Sequence, residues 1–226
     1  MAAQNMDLAF ITGASGFAVA RLPLTVETAS NPSITIQPMG APLEFQRRAL
    51  TVEDFHRMGE AGVFRPDERV ELIEGELLEM APIGGRHCHA VNRLTEILVL
   101  AAGPAGFISV QAPVVLRPIS EPQPDLLILR PECRRRRVLP ASADVLLAIE
   151  VADTTLRFDR TVKAPLYARH GVPELWIVDV EGKVLLRHLG PTKDGYTEIT
   201  EHRPPETVAA RLLPAARVDL ADLFSC

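Results

Sequence analysis

The period of the apolar positions changes several times along this chain, and each change predicts an element. Thr51-Val52-Glu53-Asp54-Phe55 has the form of a helix start, with a hydroxyl at the N-cap and an acid three residues on. That helix is expected to run to about Glu60, ahead of Gly62. Residues 69–80 read as a strand pair, two apolar runs either side of a Glu74-Gly75 turn. Val91, Leu94, Ile97 and Leu98 recur at helical spacing and predict an amphipathic helix over 87–100. Short apolar runs at 107–110, 114–116, 126–129 and 145–151 predict strands. A helix over 162–170, closed by Gly171, comes next. Strands over 175–180 and 184–189 then flank a Glu181-Gly182 hairpin turn. This order predicts a sheet domain of the α/β or α+β class. There is no internal repeat.

Residues 1–46 follow no such pattern. They carry few charges, many small residues and several Pro/Gly breaks, and predict a flexible N-terminal extension to a folded domain over 47–226. The extension contains Ile11-Thr12-Gly13-Ala14-Ser15-Gly16-Phe17, which resembles a nucleotide-binding glycine turn. Pro23 follows too early for the helix such a turn requires, and no βαβ unit develops, so no nucleotide cofactor is expected.

Composition narrows the class. The 226 residues are 47% hydrophobic and 23% charged, which excludes a mainly disordered, collagen-like or coiled-coil chain. No apolar run approaches the ~18 residues of a membrane span, and residues 1–7 lack the positive charge of a secretory signal. The chain is therefore expected to be soluble and cytoplasmic, with no membrane partner. Cys88, Cys133 and Cys226 are too few and too scattered for a disulfide framework or zinc cluster, and read as reduced thiols. A net charge of −5 argues against tight non-specific DNA binding through overall charge, while leaving room for a local basic patch.

The candidate chemistry lies in acids at the edges of apolar strands. Asp125, after Pro124, opens the 126–129 run; Glu150 closes the 145–149 run; Glu71 opens the first strand pair. An acid in a buried apolar segment is costly unless it is paired or binds metal. Carboxylates on neighbouring strand ends can hold a hard divalent cation such as Mg²⁺. Lys163, thirteen positions after Glu150, is the candidate cation. Proline is tolerated in a helix's first turn, so Pro165 predicts a helix start near Thr161 or Val162. That would put Lys163 in the first turn, beside free backbone N–H groups suited to phosphate.

These residues resemble the Uma2 (DUF820) family of endonucleases, within the PD-(D/E)xK superfamily. The matching pieces are ELIEGEL (71–77), His89, the Pro124-Asp125 pair, EVADTT (150–155), Asp159-x-x-x-Lys163-x-x-x-Tyr167 and GVPELWIVD (171–179), within a resemblance over about residues 48–225. It implies a restriction-endonuclease-like fold, a mixed β-sheet flanked by helices. It also implies a Mg²⁺-dependent site, with Mn²⁺ as a substitute, acting on DNA phosphodiesters. By position, Asp125, Glu150 and Val151 would be the metal ligands. Lys163 would orient water or stabilise charge on phosphorus, and Glu71 would be a supporting acid. The superfamily lysine usually sits two residues after the second acid, here Ala152, so Lys163 would be the migrated lysine. His89 would contact substrate or back the ligands. By analogy, the protein would pair as a homodimer.

Other features carry two readings each. Arg134, Arg135, Arg136 and Arg137 form either a solvated loop or a DNA phosphate contact. His87 and His89 flank Cys88 without a zinc-type partner cluster, and a structural role at a helix start is the expectation. Tyr167 and Trp176 read as packing residues. Asp159 reads as a helix cap or an i, i+4 partner of Lys163. The leading expectation is a metal-dependent endodeoxyribonuclease. The rivals are a nuclease-fold binding or interaction module that does not cut, and a different metal-dependent phosphoesterase on the same scaffold.

Overall fold

Eight consecutive residues with no exposed position, Val145–Ala152, can be accommodated only as a strand covered on both faces. In the computed structural model, which describes residues 47–80 and 82–225, this strand, β5, lies inside a six-stranded sheet. With β3 (Phe107–Val110), β4 (Leu126–Leu129), β6 (Glu174–Asp179), β7 (Val184–Thr192) and β8 (Gly195–His202), the order is β3-β4-β5-β6-β7-β8. Only β5 and β6 pair in parallel; the other neighbours are antiparallel. The result is a mixed α+β sheet flanked by helices.

Alternation along the strands divides the core in two. Leu147, Ile149 and Val151 of β5 face a cluster containing Val91, Leu94 and Leu98 of α2 (Gly85–Ala102). Ala148 and Ala152 face the other way, toward Leu166 and Tyr167 of the crossover between β5 and β6. Glu150 lies between those two alanines and shares their face. Two small neighbours leave space for long side chains to reach it.

The crossover departs from expectation. One continuous helical stretch begins at Leu156, not near Thr161: α3 (Leu156–Phe158), a π-helical turn (Asp159–Lys163), then α4 (Ala164–Arg169). The Ala164 N–H reaches back five residues to Asp159 O. The wider turn relieves the clash a proline ring at 165 would make with the carbonyl four residues earlier, so the helix continues through Pro165. Lys163 is therefore mid-helix. The free first-turn N–H groups expected beside it do not exist, so the expected phosphate cradle does not form there.

The other elements follow local chemistry. Helix α1 (Val52–Glu60) starts with the expected capping box between Thr51 and Asp54. β1 (Val70–Ile73) and β2 (Glu76–Glu79) form the expected hairpin around Glu74-Gly75. Gly75 has φ +81, and a Cβ there would lie 2.5 Å from Ala49 Cβ. The hairpin is tied to the 116–123 loop by Gly75 N–H donating to Ile119 O at 2.7 Å and Glu121 N–H to Leu72 O at 2.7 Å. The strand expected over 114–116 is reduced to isolated bridges, Val115 to Ala141 and Leu116 to Ser120. Pro113, Pro118, Pro122 and Pro124 supply no ladder donors in this region. After β8 come β9 (Thr207–Ala209), β10 (Arg217–Asp219) and α5 (Leu220–Leu223). The extension at 1–46, its glycine turn and Cys226 lie outside the described residues. Among those residues, no helix is long and apolar enough to cross a membrane.

Glu174 is a fully buried acid with a purely structural set of partners. Its Oε1 accepts from Trp176 Nε1 at 2.8 Å and Arg187 Nε at 2.7 Å, and its Oε2 from Arg211 N–H at 2.7 Å. Removing one member of a buried ion pair strands the other. Glu174→Ala is expected to lower stability by ~3 kcal/mol, read as a lower urea midpoint; an unchanged midpoint would contradict this role.

Candidate active site

Four elements bring acids to one pocket. Asp125 immediately precedes β4, and its Oδ2 accepts from the Val151 N–H at 2.9 Å, which fixes it beside the end of β5. Glu150 belongs to β5 itself. Glu71 lies on β1, and its Oε1 accepts from the Gln123 N–H at 2.6 Å. Asp159 enters from the π turn, its Oδ2 accepting from Thr155 Oγ1 at 2.6 Å. All four carboxylates are buried, and so is Lys163.

Lys163 joins these elements. Its Nζ donates to Glu71 Oε1 at 3.0 Å and lies 3.2 Å from Glu150 Oε1 and 3.3 Å from Oε2. Tyr167 Oη donates to Glu150 Oε1 at 2.7 Å. Asp159, Lys163 and Tyr167 are spaced four apart, so one inward helix stripe supplies an acid, a cation and a hydroxyl. Tyr167, expected as a packing residue, packs and also holds Glu150. Its place on the lysine's stripe was the available signal.

The structure separates the two histidines. His87, in the first turn of α2, places Nε2 3.0 Å from Asp125 Oδ1. Its Nδ1 is buried and has no hydrogen-bond partner among the described residues. His89, the position matching the family, is exposed and does not line the pocket. The helical period separates the two: His87 lies four before Val91 and seven before Leu94, on the buried stripe, and His89 does not.

The arginine run lies elsewhere. It follows β4, at the opposite end of that strand from Asp125. Arg134 donates to Gly103 O at 3.1 Å and Gly106 O at 2.8 Å, and stacks over Phe107 with 5.6 Å to the ring centroid. Arg136 pairs with Asp144 at 2.6 Å. Arg135 and Arg137 are exposed.

The pocket encloses about 450 Å³. Six carboxylates line it, those of Glu71, Glu79, Asp125, Glu150, Asp153 and Asp159, against two permanent cations, Arg69 and Lys163. Burial pushes the Glu150 carboxyl well above its ordinary value; Lys163 opposes this, and Asp159, Asp125 and Glu71 add to it. Burial pushes Asp159 up to about 6. Burial disfavours the Lys163 charge, but Glu150, Glu71 and Asp159 outweigh it and hold the ammonium above the usual lysine range. Burial, then Glu150, raises the Tyr167 phenol.

This donor set fits a hard divalent cation. The acids supply oxygen ligands, and even with Asp153 paired to Arg86 at 2.8 Å they outnumber the neighbouring cations, an excess that a metal cation would balance. Among the described residues no three or more His, Cys, Asp or Glu side chains form a ready-made shell. Mg²⁺ takes one or two carboxylates and keeps several waters, so a fuller protein cage is not required.

A family model described as "Putative restriction endonuclease", Uma2, matches residues 52–221. No curated protein is significantly similar to the chain. Among solved structures, one described as "a putative nuclease belonging to DUF820" from Anabaena variabilis superposes with a TM-score of 0.62. It shares 14% identity, and the match covers 78% of this chain and 98% of that one. At that identity the likeness establishes the fold.

The raised Asp159 value has a consequence for stability. Between its unfolded value of 3.8 and about 6, the native state holds a proton that the unfolded chain has lost. Stability therefore falls as pH rises through that window. In metal-free buffer, Asp159→Asn is expected to gain on wild type by up to ~3 kcal/mol between about pH 4 and pH 7, measured by urea unfolding. A difference that does not change with pH would contradict the assignment.

Proposed function

The chain belongs to the Uma2 family, and from its buried acid–lysine cluster we propose that it is a Mg²⁺-dependent endonuclease hydrolysing DNA phosphodiester bonds in the cytoplasm. The observation that carries the reading is the Lys163 ammonium, held between Glu71 and Glu150 in a pocket that also presents Asp125. A structural acid in the same protein, Glu174, stands alone among its donors, Arg187, Trp176 and the Arg211 N–H. At the pocket six carboxylates crowd together, and Glu71 and Glu150 share one lysine.

Asp125 and Glu150 would hold the metal, with the Val151 main chain beside them and Mn²⁺ as a substitute. Bound there, the ion would lower the pKa of a coordinated water and stabilise charge on the phosphate. The chain's own residues do the positioning. The Val151 N–H fixes the Asp125 carboxylate, and Tyr167 fixes one oxygen of Glu150. Glu71 holds the lysine forward from the opposite wall. Lys163 presents a permanent positive charge where the phosphate oxygens would gain negative charge. His87 orients Asp125 from its free side. The exposed Cys88 and buried Cys133 are free thiols, in keeping with a reducing compartment. The homodimer is the assembly that cutting both strands of a duplex would call for.

Cleavage of labelled DNA in Mg²⁺ tests the reading. Lys163→Ala and Glu150→Gln are each expected to lower the rate by at least ~100-fold, with circular dichroism spectra like wild type. Rates equal to wild type in both variants would overturn the assignment. Wild-type protein that binds DNA equally with and without Mg²⁺ and never yields product would favour the non-cutting module.

A further inference from the structure

The pocket has a second character beside its acids. Leu78, Met80, Pro82 and Ile83 line it, and Phe158, half-buried, stands next to Asp159 at its wall. A site built for a phosphate alone has no use for such walls. They suit a flat, largely apolar group attached close to the phosphate, and in DNA that group is a base. Within a duplex, base faces are stacked on one another and cannot meet a protein wall. Only an unpaired nucleotide presents a face together with its own phosphate.

Charge points the same way. With six lining carboxylates, of which Asp153 is paired to Arg86, against Arg69 and Lys163, the pocket is a poor surface for the dense phosphates of two strands. The four-arginine run that could attract a duplex lies at the far end of β4, with Arg134 and Arg136 already engaged. A volume of about 450 Å³ is in the range of pockets that enclose one small ligand.

We propose, building on the nuclease reading above, that the pocket takes single-stranded DNA, one unpaired nucleotide at a time, with its base against Phe158 and its phosphate toward Lys163. Asp159 turns inward to the acid cluster, and its neighbour Phe158 lines the same pocket. The π turn that carries Lys163 inward thus starts at the base-stacking wall. One strand needs one active site, so cutting it does not require a partner subunit.

Two measurements on the full chain decide this. The first compares cleavage in Mg²⁺ of a fluorescein-labelled single-stranded oligonucleotide with its blunt duplex. The second measures fluorescence-polarisation binding of both DNAs in EDTA. The single strand is expected to be cut at least tenfold faster and bound more tightly. Phe158→Ala is expected to weaken single-strand binding by about tenfold, and Phe158→Tyr, which keeps the ring, to restore it. Equal or faster duplex cleavage would overturn the proposal while leaving the nuclease reading intact. If neither DNA is cut, the nuclease reading fails and binding judges the proposal alone. Tighter single-strand binding that depends on the ring at 158 upholds it; equal or tighter duplex binding overturns it. Loss of binding in both variants, with an unchanged melting temperature, would also count against the stacking role.

Discussion

The Lys163 ammonium has to reach Glu71 and Glu150 from the middle of a helix that carries a proline two residues on, and much of the local structure answers that requirement. A π turn absorbs Pro165 and sets Asp159, Lys163 and Tyr167 on one inward face. Ala148 and Ala152 keep the strand face around Glu150 small enough for the lysine and the tyrosine hydroxyl to arrive together. The β1–β2 hairpin, clamped to the 116–123 loop, brings Glu71 from the other side. No single segment holds this arrangement; β1, β5 and the crossover each supply one corner.

Electrostatics explains why the arrangement is more than packing. Burying carboxylates without matched positive charge costs stability. Glu174 shows how this fold handles an acid whose role is structural, surrounding it with an arginine, an indole N–H and a backbone N–H. At the pocket the same fold crowds acids together, with Glu71 and Glu150 sharing the Lys163 ammonium, and burial, with the neighbouring acids adding to it, holds the Glu150 and Asp159 carboxyls above the usual carboxylate range. A divalent cation bound there, as proposed, would balance that charge. Perturbed carboxylates around a charged partner in a pocket are a recurring mark of chemistry.

Much of this was legible in the sequence, and the failures have physical reasons. The capping box at Thr51, the Glu74-Gly75 hairpin and the buried run ending at Glu150 are local signals, and the structure follows them. The helix before Lys163 starts earlier than its proline predicts, because proline rules assume an α-helical turn and a π turn changes the clash that sets them. The strand expected at 114–116 failed because four nearby prolines remove ladder donors. β8, an edge strand rich in Thr and Glu, carries little apolar signal to read. His87 and His89 are separated only by helix phase, and Tyr167's hydroxyl partner depends on Glu150, seventeen residues away across the crossover. The acids and the lysine could be picked out singly. Their convergence through Glu71 required a contact spanning 92 residues, which no local pattern contains.

A divalent-cation site at the buried acids, as proposed, is open to calorimetric titration. Mg²⁺ and Mn²⁺ are titrated into wild-type protein and into Asp125→Asn, each alone and with a non-cleavable phosphorothioate strand present. Saturable binding to wild type that the variant loses is the expected result. Identical binding by both proteins, or no binding by wild type even with the strand present, would contradict it.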